Sequence, residues 1–266
     1  MGRFKIILNY IYYNKVGAAL KLIKIGISGC LGRMGKELVA QTKNKSRISF
    51  VGGFDLKDKK TSPNNIFSKA DVVIDFSSPG AIKNNLEMAI NKKTGLVIGT
   101  TGLKDKEVKM LKNASKKIPI LMSSNMSLGV NLLFNLVQQA ASTLKDKDYD
   151  IEIAETHHKH KIDAPSGTAL SLGEYAAKGR KANFQKTKVL DRTSKNLKRK
   201  KGKIGFSVTR GGEIAGEHTV SFIGSNDRVD LIHKASNRSI FVNGAIEAAI
   251  FISKKKKGFF SMKDLF

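Results

Sequence analysis

The sequence predicts an α/β fold in which a doubly wound parallel sheet precedes a second, α+β domain. Three observations lead to this fold class. Up to about residue 125, short apolar runs alternate with longer segments of helical period, which is the pattern of βαβ units. A glycine-rich turn joins the first apolar run to the first helical segment. Farther along, three alternating segments follow one another without helices between them, which indicates antiparallel strands.

The first half of the chain supplies the predicted parallel sheet. Its strands are expected at Leu22–Ser28, Ile48–Phe54, Val72–Phe76, Leu96–Ile98 and Ile118–Met122. Its crossover helices, recognised by apolar residues at three-to-four spacing, are expected at Met34–Thr42, Ala81–Asn91 and Lys104–Lys116. Helices on both faces of such a sheet make the predicted domain Rossmann-type.

The second half has a different pattern. A long apolar helix is expected near Val130–Leu144, then a strand at Asp150–Glu155 and a helix from Ser166. The lysine-rich stretch Lys178–Lys203 is predicted to be a mobile surface loop. The predicted antiparallel strands are Gly205–Arg210, Glu217–Ile223 and Arg228–His233.

A final helix, Ile240–Ser253, has room to return to the first domain. The expected division of the chain is an N-terminal extension of residues 1–20, a first domain of residues 21–127 completed by residues 239–266, and a second domain of residues 128–238. The apolar stretch within the extension is too short and too polar to span a bilayer, and we interpret it as an extension rather than a secretory signal.

Composition limits the partners. The 266 residues suffice for two modest domains, and a hydrophobic content of 41% permits real cores. Cys30 is the sole cysteine, so no internal disulfide forms and a reducing, cytoplasmic location fits best. The formal net charge is +26, but lysines recur along the whole chain and the one dense run has no interleaved aromatic residues. We therefore predict no nucleic-acid or membrane partner, and a field that attracts small acidic substrates.

The turn after the first strand reads Gly29-Cys30-Leu31-Gly32-Arg33-Met34-Gly35 and opens a helix. Glycines here let backbone N–H groups approach a pyrophosphate, which predicts a dinucleotide site; a tight packing turn is the alternative. Asp55 ends the second strand, where an acid accepts hydrogen bonds from the adenosine ribose and favours NADH. Lys57, Lys59 and Lys60 follow and are able to pair with a 2′-phosphate, so NADPH stays open.

Two polar loops follow later strands of the predicted sheet. Gly99-Thr100-Thr101-Gly102 comes after the fourth strand and Ser123-Ser124-Asn125-Met126 after the fifth. Because ligands of open α/β sheets bind at the carboxyl ends of the strands, we predict a nicotinamide site between these loops. Ordinary turn chemistry is the alternative.

The stretch from Glu155 to Ala169 carries the most chemistry. It holds three of the five histidines of the chain, and His157 and His158 are able to exchange protons near neutral pH. Lys161 adds a cation, and Ser166-Gly167-Thr168 opens a helix whose free N–H groups form a site for a carboxylate.

Two other interpretations of this stretch stay open. The histidines with Glu155 and Asp163 suggest a metal site, although neighbouring lysines raise its cost and we predict no metal. A solvated turn capped by Ser166 explains the charges but not the clustering of histidines.

The run from His157 to Ala169, His-His-Lys-His-Lys-Ile-Asp-Ala-Pro-Ser-Gly-Thr-Ala, resembles the signature of the 4-hydroxy-tetrahydrodipicolinate reductases, also called dihydrodipicolinate reductases. Other segments match that family in order: Gly29–Gly35, Val97–Gly102, Asn125–Asn131, Gly216–Thr219 and His233–Ser236. The resemblance covers Lys21 to the C-terminus.

The resemblance implies an oxidoreductase that uses NADH, NADPH or both to reduce 4-hydroxy-tetrahydrodipicolinate to tetrahydrodipicolinate in the diaminopimelate route to lysine. His157 would be the general acid, with Lys161 assisting, and the second domain would bind substrate and assemble a homotetramer. The implied contacts to the dicarboxylate substrate are His158, Lys161, Gly167, Thr168 and Thr101. The implied cofactor contacts are Gly29, Cys30, Leu31, Gly32, Arg33, Met34, Asp55, Gly99, Thr100, Thr101, Ser123, Ser124, Asn125 and Met126. Leu56 stands where some relatives carry arginine, so the choice between NADH and NADPH stays open.

Functions from two other classes compete with this one. A metal-dependent hydrolase would use the histidine cluster, and a nucleotide-sensing or nucleic-acid-binding module would use the Rossmann half and the basic surface. Neither explains why so many separate segments match one reductase family.

Overall fold

The computed structural model describes residues 22–58, 60–192 and 198–266. The predicted N-terminal extension, Lys21, Lys59 and residues 193–197 of the lysine-rich stretch lie outside the described residues. Within the described residues, no helix is long and apolar enough to cross a membrane.

The strands are β1 (Ile23–Ser28), β2 (Ile48–Phe54), β3 (Val72–Asp75), β4 (Gly95–Ile98), β5 (Pro119–Met122), β6 (Asp150–His157), β7 (Lys188–Val189), β8 (Ile204–Arg210), β9 (Glu217–Ile223), β10 (Arg228–Lys234) and β11 (Gly258–Phe260). The α-helices are α1 (Arg33–Lys43), α2 (Pro63–Lys69), α3 (Ile82–Lys92), α4 (Asp105–Ala114), α5 (Leu128–Thr143), α6 (Gly167–Gly179), α7 (Phe184–Thr187) and α8 (Ser239–Ile252). Short 3₁₀ turns lie at Pro79–Ala81 and Met262–Leu265.

The first sheet confirms the predicted Rossmann-type fold. Its strand order is β11-β5-β4-β3-β1-β2, and every pair is parallel. Neighbouring residues of one strand serve opposite faces: Ile74 packs with α1 and α8, whereas Val73 packs with α2, α3 and α4. Helix α8 is close to the expected range, and β11 joins the edge of this sheet by pairing with β5. The carboxyl ends of β1 to β5 therefore lie along one edge.

The sequence did not predict α2. This helix has seven residues, begins with Pro63 and buries only Ile66 and Phe67, so it shows less than one full repeat of a helical apolar pattern. It fills the connection between β2 and β3 on the face of the sheet that also carries α3.

The second sheet has the order β10-β9-β6-β8-β7, and α5 and α6 cover one of its faces. Strands β9 and β10 are antiparallel to their neighbours as expected, but β8 runs parallel to β6. The predicted antiparallel orientation of Gly205–Arg210 is therefore wrong. The reason is the helix α6 between β6 and β8, because a helical crossover carries the chain back to the end at which it started.

The prediction of a mobile loop at Lys178–Lys203 is also wrong for much of the part of this stretch that the structure describes. The stretch contains the end of α6, then α7 and β7. Arg199 anchors its later residues to β6, donating from Nε to Glu152 (3.0 Å) and from Nη2 to the Ile151 carbonyl (3.1 Å). The side chain of Arg199 is mostly buried, but the residue stands in a run of lysines, so the sequence did not distinguish it from exposed cations.

Candidate active site

Two adjoining cavities lie at the carboxyl ends of the first sheet. The nucleotide cavity, about 560 Å³, is bounded by the glycine-rich turn, Asp55, Lys57 and the loop after β3. The histidine cavity, about 770 Å³, is bounded by the loops after β4 and β5 and by the end of β6 with the start of α6. Phe76 lines both cavities, so they form one groove along the sheet edge that ends against the second domain.

The glycine-rich turn requires its glycines. Gly29 has φ +78°, and a Cβ there would lie 2.6 Å from the Phe76 carbonyl oxygen. A Cβ on Gly35 would lie 2.0 Å from the Gly29 carbonyl oxygen, so helix α1 packs this closely on β1 only with glycine. Gly32 is the N-cap of α1 and offers no side-chain cap, which leaves the first N–H groups of the helix for a ligand.

Asp55 connects the turn to the loop after β2. One carboxylate oxygen accepts a hydrogen bond from the Leu31 N–H (3.3 Å) and the other from the Lys57 N–H (3.1 Å). Asp55 and Lys57 line the nucleotide cavity together. An acid and a cation therefore stand side by side where an adenosine ribose or its 2′-phosphate is expected.

The structure brings most of the expected cofactor contacts to the groove. Those that line one of the two cavities are Gly29, Gly32, Met34, Asp55, Gly99, Thr101, Ser124, Asn125 and Met126. Five others do not line either cavity: Cys30, Leu31, Arg33, Thr100 and Ser123. The side chain of Thr100 is buried and donates to Asp75 (3.1 Å), and that of Ser123 donates to the Asn125 carbonyl oxygen (2.7 Å).

Sequence reasoning missed the loop after β3. Phe76, Ser77 and Ser78 line the nucleotide cavity, and a Cβ on Gly99 would lie 2.4 Å from the Phe76 ring. Two serines directly after a buried strand are the same signal that marked the loops after β4 and β5. The sequence therefore carried a signal for this loop as well.

The expected substrate residues come together in the histidine cavity. His158, Lys161, Gly167, Thr168 and Thr101 all line it, as does His157. The Ser166 Oγ caps α6 by accepting from the Ala169 N–H (3.1 Å). Across the cavity, the Asn125 amide donates to the Thr168 hydroxyl (3.1 Å), which joins the loop after β5 to the start of α6.

His157 ends β6 and is buried beside Glu155, with 2.5 Å between its Nδ1 and a carboxylate oxygen. Burial lowers the pKa of His157, and the opposing influence of Glu155 does not restore it; the Lys161 and Arg210 cations lower it further. Burial alone would raise the pKa of Glu155, but hydrogen bonds from Arg210, Ser166 and His157 outweigh it and the pKa falls below its ordinary value. The pair is therefore a neutral imidazole against an ionised carboxylate near neutral pH.

Lys161 lies at the rim of the same cavity. Its Nζ is 2.7 Å from a carboxylate oxygen of Asp163, and this contact lowers the pKa of Asp163. An anionic group that approaches Lys161 would share its ammonium group with Asp163.

The partners of several side chains at the site had no local signal in the sequence. Arg210 pairs with Glu155 from 55 positions away, and Arg238 approaches His158 (3.5 Å) from 80 positions away. His218 is buried against His157, with ring centroids 5.1 Å apart. Such contacts depend on the tertiary fold. Within residues 22–58, 60–192 and 198–266, no group of histidine, cysteine and acidic side chains is arranged to hold a metal ion.

The fold and the groove define the class of protein: a two-domain oxidoreductase whose first domain is a Rossmann dinucleotide-binding domain. Two family models match the chain, "Dihydrodipicolinate reductase, N-terminus" over residues 23–126 and "Dihydrodipicolinate reductase, C-terminus" over residues 129–266. The chain belongs to the dihydrodipicolinate reductase family, as the resemblance predicted. Its cofactor is accordingly NADH or NADPH, and that prediction is confirmed at this level.

Curated relatives agree with this assignment. The chain is 42% identical over 247 residues to the 4-hydroxy-tetrahydrodipicolinate reductase of Zymomonas mobilis, covering 91% of this chain and 96% of the relative. It is 43% identical over 248 residues to the enzyme of that name from Caulobacter vibrioides, with the same coverage. A solved structure of dipicolinate-bound dihydrodipicolinate reductase from Paenisporosarcina sp. TG-14 shares the fold, with a TM-score of 0.75, 23% identity and coverage of 90% of this chain and 97% of that one.

Proposed function

We propose that this protein reduces 4-hydroxy-tetrahydrodipicolinate to tetrahydrodipicolinate with NADH or NADPH, in the diaminopimelate route to lysine. One observation supports this most strongly. The groove along the Rossmann sheet opens into a cavity in which a histidine, a lysine and a helix N-terminus converge. A dianionic ring substrate needs cationic and helix-terminal anchors beside a hydride donor, together with a proton source.

The residues of the nucleotide cavity fit a dinucleotide. The uncapped start of α1 would hold the pyrophosphate, and Asp55 the adenosine ribose. Gly99, Thr101 and Asn125 would hold the nicotinamide where the two cavities meet. When bound, the dinucleotide would supply a hydride from its nicotinamide C4 to the unsaturated ring that remains once the 4-hydroxyl group has left as water, so that loss of water and gain of one hydride and one proton give the product.

The substrate carboxylates would bind at the opposite wall of the histidine cavity. The start of α6, at Gly167 and Thr168, would face one carboxylate with the positive end of the helix dipole. His158 and Lys161 supply donors for the second, and Thr101 adds a donor from the Rossmann domain. Contacts from both domains would fix the ring against the nicotinamide loops.

His157 would give a proton to the reduced ring, with Lys161 assisting. Burial lowers the pKa of His157, so its protonated form is a stronger acid than an exposed imidazolium. A bound dianion would place negative charge beside the ring and favour protonation before transfer.

The test of the function begins with substrate made freshly by condensing pyruvate with aspartate semialdehyde. Absorbance decay of NADH and, separately, of NADPH that requires both protein and substrate is the expected result, and the two rates rank the cofactors. No decay with either cofactor, from folded protein, would refute the proposal.

Two variants test the roles of the side chains. His157→Gln is expected to lose turnover and keep its affinity for the cofactor, because the residue acts on the transition state. Unchanged turnover would remove His157 as the acid. Lys161→Ala is expected to raise KM for the substrate and to slow the chemical step, and a loss confined to cofactor binding would contradict its placement.

The assembly and the division of the chain are part of the same proposal. The second sheet has helices on one face, and its other face carries exposed residues such as Ala154 and Ile232, which suits a homotetramer built through residues 128–238. We assign residues 21–127 to the first domain, completed by residues 239–266, since α8 and β11 pack on the first sheet. The cytoplasmic location, the extension at residues 1–20 and the exclusion of nucleic-acid and membrane partners stay predictions.

A further inference from the structure

Glu155 is a buried carboxylate held by three separate segments of the chain. It is 3% exposed, and it shares a face of β6 with His157 because residues two apart in a strand point the same way. Its Oε2 accepts from His157 Nδ1 (2.5 Å) and Arg210 Nη1 (2.8 Å). Its Oε1 accepts from the Ser166 N–H (2.9 Å) and Arg210 Nη2 (2.8 Å). With two donors on each oxygen, the orientation of the carboxylate is fixed.

Arg210 is itself fixed. Its Nη1 also donates to the Thr209 carbonyl oxygen (2.8 Å), and its Nη2 to the Asp163 carbonyl oxygen (2.7 Å). The guanidinium therefore holds the carboxylate as a bidentate pair and ties it to the turn that carries Lys161.

We propose that Glu155, held by Arg210, is a positioning residue that keeps the His157 proton on Nδ1, leaves Nε2 for the substrate and fixes the start of α6. This inference rests on the proposed role of His157. An ionised carboxylate only accepts hydrogen bonds, so the nitrogen that faces it must carry the proton. Through the Ser166 N–H, the same carboxylate sets the helix N-terminus proposed to bind the substrate.

The charged and titratable groups around the His157 ring come from four segments. Glu155 lies on the same strand, Arg210 ends β8, His218 lies on β9, and Lys161 follows in the next turn. The carboxylate raises the pKa of His157, whereas burial and the two cations lower it. Loss of Glu155 and loss of Arg210 are therefore expected to move the pKa of His157 in opposite directions.

Glu155→Gln is the most specific test, because glutamine keeps the size and shape of the glutamate side chain and removes its charge. If the amide nitrogen replaces Oε1, it meets two donors, the Ser166 N–H and Arg210 Nη2. If it replaces Oε2, it meets one fixed donor, Arg210 Nη1, and His157 can avoid the second conflict by moving its proton to Nε2. The second arrangement has fewer opposed donors, so the variant is expected to reverse the tautomer of His157.

The experiment combines nitrogen-15 NMR of labelled histidines with steady-state kinetics. His157→Gln identifies the His157 signals. Glu155→Gln is expected to move the imidazole proton from Nδ1 to Nε2 and to lower kcat on the order of 10²-fold or more, with KM for NADH changed less than about 2-fold. Glu152→Gln, which removes an arginine-paired carboxylate from the same strand, is the matched control and is expected to change neither.

The pH profile separates positioning from mere stability. The ionisation assigned to His157 is expected at lower pH in Glu155→Gln and at higher pH in Arg210→Gln. Folded Glu155→Gln with the wild-type tautomer and wild-type kcat would overturn the inference, even if Arg210→Gln does not fold. Because the NMR signal needs no substrate, it tests Glu155 even if the wild-type protein fails to reduce the proposed substrate.

Discussion

His218 is expected to make the folded protein sensitive to mild acid. Its imidazole is 4% exposed on β9, with Nε2 3.1 Å from the Ser166 hydroxyl. Its Nδ1 is buried and has no protein partner among the described residues. Burial, assisted by the neighbouring His157, lowers the pKa of His218 to about 4. A protonated His218 would therefore carry a positive charge in a buried site with little solvation.

The sign of the effect follows from linkage. The unfolded chain binds the proton near the ordinary pKa of about 6.5, whereas the folded protein binds it only near pH 4. Stability from the neutral buried ring is complete above the unfolded pKa and declines as pH falls towards the folded pKa. At about 1.4 kcal/mol per pH unit, titration of His218 is expected to lower the free energy of unfolding by about 2–3 kcal/mol between about pH 7.5 and about pH 4.5.

Urea unfolding at these two pH values measures the loss directly. His218→Asn keeps a polar group for Ser166 and removes the titration, so its free energy of unfolding should fall by about 2–3 kcal/mol less than that of the wild type. The difference between the proteins isolates His218, since other groups titrate in both. His160→Asn, at an exposed histidine, serves as the control and should follow the wild type. Equal losses in His218→Asn and the wild type would refute the reasoning.

Three further predictions test the groove and the C-terminal segment. Gly99→Val should raise KM for NADH and NADPH roughly 10-fold or more, because its Cβ would lie 2.4 Å from the Phe76 ring, and cofactor titration measures this. Lys57→Ala should lower kcat/KM with NADPH relative to NADH by up to about 5-fold if the exposed ammonium pairs with a 2′-phosphate; an unchanged ratio contradicts that pairing. Met262→Ala should lower the free energy of unfolding in urea by about 2–5 kcal/mol, because the residue is fully buried against the first sheet. Phe266→Ala is the control: its residue is 60% exposed, and its loss should be under about 1 kcal/mol.

Local patterns predicted the parts of the protein that a single strand end determines. The turn at Gly29 and the loops after β4 and β5 each follow an apolar run, and the rule that ligands bind at the carboxyl ends of strands placed them on one edge. The start of α6 was equally local, because Ser166 caps the helix that it precedes.

Properties that depend on pairing between distant segments were not predictable in the same way. The orientation of β8 depends on the path of the chain through α6, and alternation of apolar residues is the same in parallel and antiparallel strands. Arg210 is one cation among 48 lysines and arginines, and nothing near it in the sequence indicates that its partner is Glu155. The cofactor contact expected at Thr100 illustrates another limit, because a loop can lie at the site while one of its side chains turns into the core.

Each half of the groove contains a buried carboxylate that accepts several hydrogen bonds, Asp75 beside the nucleotide cavity and Glu155 beside the histidine cavity, and the two carboxylates have different partners. Asp75, fully buried at the end of β3, accepts from Ser77, Thr100 and Asn85 and has no cation beside it among the described residues. Neutral donors spread over three segments fix the loops of the nucleotide cavity without placing a cation beneath it. Glu155 instead faces the imidazole of His157, and Arg210 balances its charge, so the carboxylate raises the pKa of His157 less than an unpaired buried carboxylate would. Both arrangements preorganise polar groups before a ligand arrives, which is the form in which fixed dipoles and charges contribute most to catalysis.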